Sequence, residues 1–179
     1  MKLLNFIKEV VKTILIAALI VIPIRTFIFQ PFLVRGSSME QNYYQGDYLI
    51  VDQLSYRFRN PERGEVVVFY SPESNQRRFI KRIIGLPGET IHLEDGVLYI
   101  ENGEKRVLDE SDYLKEDTPG EFSETLGDNE YFVLGDNREA SLDSRSWGTL
   151  PGDNIIGRVS IQLSPFSTLA KATIPQLIK

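Results

Sequence analysis

The chain has 179 residues, 42% of them hydrophobic, with a formal net charge of −5, one histidine and no cysteine. That length is about one domain's worth, with enough apolar material for a core. The acidic balance excludes nucleic acid as the main partner, since phosphate binding needs a basic surface, and the missing cysteines exclude disulfides, thiol catalysis and cysteine metal sites.

The N-terminal region holds an uncharged, mostly apolar stretch over residues 13–24, bracketed by Lys12 and Arg25 and continued by Phe27, Ile28 and Phe29. The uncharged part alone is shorter than the roughly 20 residues a spanning helix needs. Residues 10–29 reach that length, with Lys12 and Arg25 near the ends, where the stems lie in hydrocarbon and the charges snorkel outward. A buried core helix is one alternative and a cleaved secretory signal another. A cleaved signal calls for a small-x-small site, yet Ile24 leads into Arg25, Thr26, Phe27, Ile28, Phe29, Gln30 and Pro31. The favoured reading is an uncleaved, single-pass transmembrane anchor over 10–29. Lys2 and Lys8 precede it and Lys12 stands at its N-terminal end, so 1–9 is expected to be a cytoplasmic tail and 30–179 an extracytoplasmic domain at the plasma membrane.

Beyond Gln30 the pattern changes to short β-branched and aromatic runs at 48–51, 66–70, 79–84, 97–100, 131–134 and 155–163. Turn chemistry separates them at Arg63-Gly64, Pro87-Gly88, Asp95-Gly96, Asn102-Gly103 and Gly135-Asp136. Asp95-Gly96 and Asn102-Gly103 have the form of tight hairpin turns. Residues from about 104 to 128 are polar and acidic and read as an insertion between core strands, its carboxylates a solvated face. The tail over 166–179 holds Lys171 and Pro175 and is no second span. The expected architecture is an N-terminal helix followed by a mostly-β domain.

Few nucleophile systems fit this composition. His92 is the only histidine and alternates with apolar residues in a strand, where a satisfied or surface histidine is the common case. No set of zinc ligands stands at helical spacing, so no metal or other cofactor is expected. Composition does not dismiss paired-carboxylate chemistry, but nothing marks out a pair; serine with a lysine base is the reading that remains, and lysine serves as a base only when burial lowers its pKa. Strand alternation puts Lys81 on one face with Phe79 and Ile83, and Arg82 on the other; on pattern alone an exposed edge lysine fits as well. Ser38, after Gly36 and Ser37 and before Met39, suits a bend whose backbone N–H groups cradle an oxyanion, although serine-rich loops are also ordinary linkers. A third polar segment, residues 135–145, follows the strand at 131–134.

In this order these segments resemble the type I signal peptidases over nearly the whole chain. The matching residues are Gln30, Pro31 and Phe32; Gly36, Ser38 and Met39; Gly46-Asp47; the run from Lys81 through Arg82, Ile83, Ile84, Gly85, Leu86 and Pro87 to Gly88; and Gly135, Asp136, Asn137, Arg138, Asp143, Ser144 and Arg145. The resemblance implies coiled antiparallel β-sheets, a fold of the signal-peptidase and self-cleaving-repressor type. It implies Ser38 as nucleophile, Lys81 as general base, and Ser141 as the hydroxyl that orients the lysine. Asp143 and Arg145 would be a supporting ion pair with Asp136 and Arg138 beside it, and the Ser38 N–H, helped at Gly36, would hold the oxyanion. Phe32, Val34, Met39, Phe79 and Ile80 would line the substrate cleft. The implied activity is cleavage of signal peptides from secretory preproteins after small residues, with those preproteins and the lipid bilayer as partners. The chain departs from the family's Ser-Met-x-Pro-Thr-Leu, since Met39 is followed by Glu40, Gln41, Asn42 and Tyr43. A self-cleaving Ser-Lys protease and a catalytically altered membrane β-module that binds export substrates are the competing readings.

Overall fold

The computed structural model describes residues 2–23, 29–163 and 176–178. A helix, α1 (Lys2–Pro23), precedes a domain of antiparallel strands. In chain order these are β1 (Phe29–Leu33), β2 (Tyr48–Asp52), β3 (Val66–Ser71), β4 (Ser74–Gly85), β5 (Thr90–Glu94), β6 (Val97–Asn102), β7 (Glu104–Asp109), β8 (Phe122–Thr125) and β9 (Glu130–Leu134). A one-turn helix, α2 (Ser144–Trp147), follows, then β10 (Leu150–Pro151), β11 (Ile155–Leu163) and β12 (Gln176–Ile178). One sheet runs in the order β1-β2-β11-β3-β4-β9-β10, and the other β12-β7-β6-β5-β8.

The mostly-β expectation holds, and the residues explain it. β3 reads as an unbroken apolar run because both its faces are covered. Val66 and Val68 point into a cluster with Val34, Met39, Leu49, Val51 and Val159. Val67 and Phe69 point the other way, toward Ile83, Tyr131, Val133 and Leu150. β5 and β6 alternate instead: Ile91, Leu93, Leu98 and Ile100 are buried, and His92 and Tyr99 lie on the half-exposed face. Their buried side packs on Ile84, Phe132 and Leu134, so β4 and β9 of the first sheet share a core with the second. The β5–β6 hairpin turns at Asp95 and Gly96, with φ of 49° and 80°, the double positive φ of a type I′ turn.

One expectation changes and a second is not established. Residues 104–128, expected as an insertion with a solvated acidic face, contain β7 and β8, the flanks of the β5–β6 hairpin. Its polar pattern arises because each is a short strand with one covered face; Glu104, Lys105 and Arg106 are exposed while Leu108 is buried. The second expectation, an anchor over 10–29, is not established by α1. No helix among the described residues is long and apolar enough to cross a membrane. α1 carries Lys8, Glu9 and Lys12 in its first half. Its charge-free part, residues 13–23, is about 16 Å long at ~1.5 Å per residue, against a hydrocarbon core of ~30 Å. Residues 24–28, inside the expected anchor, lie outside the described residues, as does the expected tail apart from residues 176–178.

Candidate active site

β4 is the longest strand of the domain, 12 residues. It pairs with β3 from Ser74 to Arg82, with Lys81 opposite Val67 and Phe79 opposite Phe69. Lys81 therefore points to the side of the cluster formed by Val67, Phe69 and Ile83, as alternation predicts. It is 3% exposed. Its Nζ donates a 2.6 Å hydrogen bond to Ser38 Oγ and lies 5.7 Å from the centre of the Phe79 ring. Burial holds the Lys81 ammonium down to about 8; Asp143 and Asp136 pull it upward and Arg145 pushes it down. A lysine in that range is neutral in about a tenth of molecules at pH 7, far more than an exposed lysine.

Ser38 sits in a loop between β1 and β2 whose neck is closed by hydrogen bonds. Val34 N donates to Asp47 O at 2.9 Å, and Gly46 N to Val34 O at 3.1 Å. The buried Asp47 carboxylate accepts from Tyr44 N and from Gln162 Nε2, which pins the returning limb. At the tip, Met39 is 1% exposed and anchors the serine to the core cluster around Leu49 and Val66. The Gly36 backbone has φ of 92°, a region glycine enters without a Cβ penalty. Among the described residues the Ser38 N–H has no acceptor, so it is a free donor beside its own hydroxyl, the arrangement an oxyanion needs.

The polar segment after β9 braces this loop. Asn137 N donates to Ser38 O at 3.0 Å, and Asn137 Nδ2 donates to Ser37 O at 3.1 Å. Asp143 caps α2 and pairs with Arg145 at 2.9 Å; its other oxygen accepts from Gly135 N. Arg145 Nη2 reaches Arg138 O at 2.6 Å. Asp136 and Arg138, expected beside that pair, have partners elsewhere. Asp136 forms a buried bidentate pair with Arg82, at 2.9 and 2.7 Å. Arg138 pairs with Glu110 at 2.5 Å and donates to Thr118 Oγ1. Gly135 is held between Ser141 and Ser38: a Cβ there would lie 2.2 Å from Ser141 Oγ and 2.4 Å from the Ser38 carbonyl oxygen.

Ser141 departs from its expected role. It neighbours the site, but its buried Oγ has no hydrogen-bond partner in the structure. Lys81 bonds Ser38, and the Ser141 hydroxyl faces the Cα of Gly135. Phe32, Val34, Phe79 and Ile80 line a cavity of about 160 Å³ with Ser38 and Lys81. Met39 is not a lining residue; it lies beneath the loop, in the core. His92 has no part in the site: it bonds Glu101 at 2.8 Å and Ser123 at 3.1 Å on the second sheet. No cluster of metal-ligating groups exists among the described residues.

A family model described as signal peptidase, peptidase S26, matches residues 7–164. The chain belongs to the signal peptidase family. It is 39% identical over 163 residues to a Synechocystis protein named "Probable signal peptidase I-2", covering 88% of this chain and 73% of the other. It is 35% identical to "Signal peptidase I" of Leptolyngbya laminosa, covering 93% and 84%. It is 36% identical to "Signal peptidase I U" of Bacillus subtilis, covering 91% and 90%. The chain is thus a peptidase of that family.

The departure from the family's Pro-Thr now has a geometry. Gln41 has φ of 84°, which proline, fixed near −65°, cannot adopt. The following Asn42 Nδ2 donates to Asp136 Oδ2 at 2.8 Å and to Tyr113 O at 3.0 Å. The chain therefore holds the far side of its serine loop through an amide side chain. Sequence reasoning missed Asn42, the Asn137 clamp and the half-buried Glu110. Asn137 was visible as one polar residue in a dense polar segment; Glu110 was hidden among exposed carboxylates.

Proposed function

We propose that this chain is a membrane-bound serine endopeptidase that removes N-terminal signal peptides from exported preproteins after small residues. The observation that carries the reading is the 2.6 Å hydrogen bond between the buried Lys81 Nζ and Ser38 Oγ. In its neutral form Lys81 takes the Ser38 hydroxyl proton as Oγ attacks the scissile carbonyl carbon. The oxygen that becomes negative accepts from the Ser38 N–H, with Gly36 shaping the loop. The Lys81 ammonium then gives its proton to the departing amine, leaving an ester on Ser38. Water, deprotonated by Lys81, cleaves that ester and restores the enzyme. Asp143 and Arg145 brace the segment that carries Gly135 and Asn137. By the family resemblance Ser141, whose Oγ has no partner, is the hydroxyl that would orient Lys81. Phe32, Val34, Phe79 and Ile80 offer apolar walls to the substrate, and Met39 supports the serine from below.

Two features support a bilayer location: the family, and the outward-facing apolar side chains of α1, among them Ile14, Leu15, Leu19 and Ile22. In this reading residues 10–29 form the anchor, with the N-terminus cytoplasmic and the β domain outside. The test is processing of a purified precursor by the full chain in detergent. The expected outcome is one cut after the small residue ending the signal, abolished by Ser38→Ala. An uncut precursor, or a Ser38→Ala protein that still cuts, contradicts the reading.

A further inference from the structure

The cleft beside Ser38 has a feature that the proposed chemistry does not use. Its lining includes Arg35 and Arg78 together with Phe32, Val34, Phe79 and Ile80, and no aspartate or glutamate. In a chain of net charge −5, this wall carries cations alone. Both arginines are exposed, and among the described residues neither pairs with a carboxylate. Arg78 is nevertheless held in place. Its guanidinium lies 5.5 Å from the ring centre of Phe32 on β1 and 5.5 Å from that of Tyr70, its cross-strand partner on β3. Stacking on aromatic faces orients the planar group while its N–H donors stay unspent. The result is a preorganised carboxylate receptor on the wall of the substrate cleft. On β4, Arg78 stands three residues before Lys81, about 10 Å at ~3.3 Å per strand residue.

We infer that Arg78, aided by Arg35, determines specificity by favouring substrates with an aspartate or glutamate within about three residues of the cut. This inference rests on the proposed peptidase activity and narrows its substrate class. The experiment uses the full chain in neutral detergent and a set of matched precursor peptides. One reference carries glutamine near the cut; the others carry a single Glu, Gln or Lys at each position up to four residues on either side. At one or two positions Glu should raise kcat/KM about threefold over Gln and about tenfold over Lys, the range of a partly exposed ion pair. The preference should shrink as salt rises. Arg78→Gln should bring the Glu-to-Gln ratio close to one, and Arg78→Glu should invert the preference toward Lys. Equal kcat/KM for Glu, Gln and Lys peptides at every position, with the reference well cleaved, overturns the inference alone. Failure to cleave the reference overturns it along with the peptidase reading. A second arm measures binding to phosphatidylglycerol vesicles. If Arg78→Gln weakens vesicle binding and leaves the Glu preference intact, the arginine serves a lipid surface and the substrate assignment is wrong.

Discussion

Lys81 shows how one residue couples stability to chemistry. Its pKa falls from 10.5 to about 8 because burial penalises the ammonium form. Between those two values the unfolded chain holds a proton that the folded chain has released, so stability rises with pH through that window. Below about pH 8 both states are protonated and the folded protein bears the full penalty, on the order of 3 kcal/mol. Lys81→Met, similar in shape and without charge, should therefore be more stable than the wild type at pH 7, by up to about 3 kcal/mol, and inactive. Urea unfolding followed by the fluorescence of Trp147, the chain's one tryptophan, measures this; a Lys81→Met protein less stable than the parent contradicts it. The Arg82–Asp136 pair beside it behaves oppositely. Both groups are buried, so Asp136→Asn removes the counter-charge of a buried guanidinium and should lower stability by about 3 kcal/mol in the same assay.

At the scale of elements, the serine loop is fixed by backbone geometry as much as by contacts. Gln41→Pro, which restores the family's residue, should fail here, because φ of 84° is closed to proline. The expected result is loss of processing with a lower urea midpoint; a Gln41→Pro protein as stable and active as its parent would refute the loop geometry. Gly36→Ser meets open space but keeps φ of 92°, so backbone strain alone should cost about 1–2 kcal/mol. That strain was invisible in the sequence, where Gly36 stood out only as part of the serine-loop motif. Gly135→Ala has no room at all, and should remove activity in a folded protein by displacing Ser38. Much of this site was legible beforehand. Alternation in 79–84 assigned the face of Lys81, and a glycine followed by two serines marked the loop. The Asn42 and Asn137 clamps were not legible, because contacts spanning 94 and 100 residues in sequence leave no local periodicity. The role of Glu110 was masked for another reason: its neighbours Ser111 and Asp112 are exposed, and only the long-range partner Arg138 sets it apart.

At the scale of the whole molecule, the fold brings three distant segments of the chain to one point. The β1–β2 loop supplies the serine, β4 the lysine, and the segment after β9 the brace, and β3 lies between β4 and the β2 side of the sheet. Apolar runs announced β2, β3, β4, β6, β9 and β11; β7 and β8 went unseen because their charged faces resemble a loop. The proposed anchor has its own test: protease added to spheroplasts should reach the β domain, and protection there with access only after inversion would reverse the proposed topology. The central claim is that Lys81 is the base for Ser38. The pH dependence of kcat/KM for precursor cleavage tests it most directly. The account predicts an acid limb with an apparent pKa of about 8 that persists in His92→Ala, with no activity in folded Lys81→Ala or Lys81→Arg, since guanidinium stays protonated. A folded Lys81→Ala protein with near-normal turnover, or a limb that disappears with His92, would contradict it.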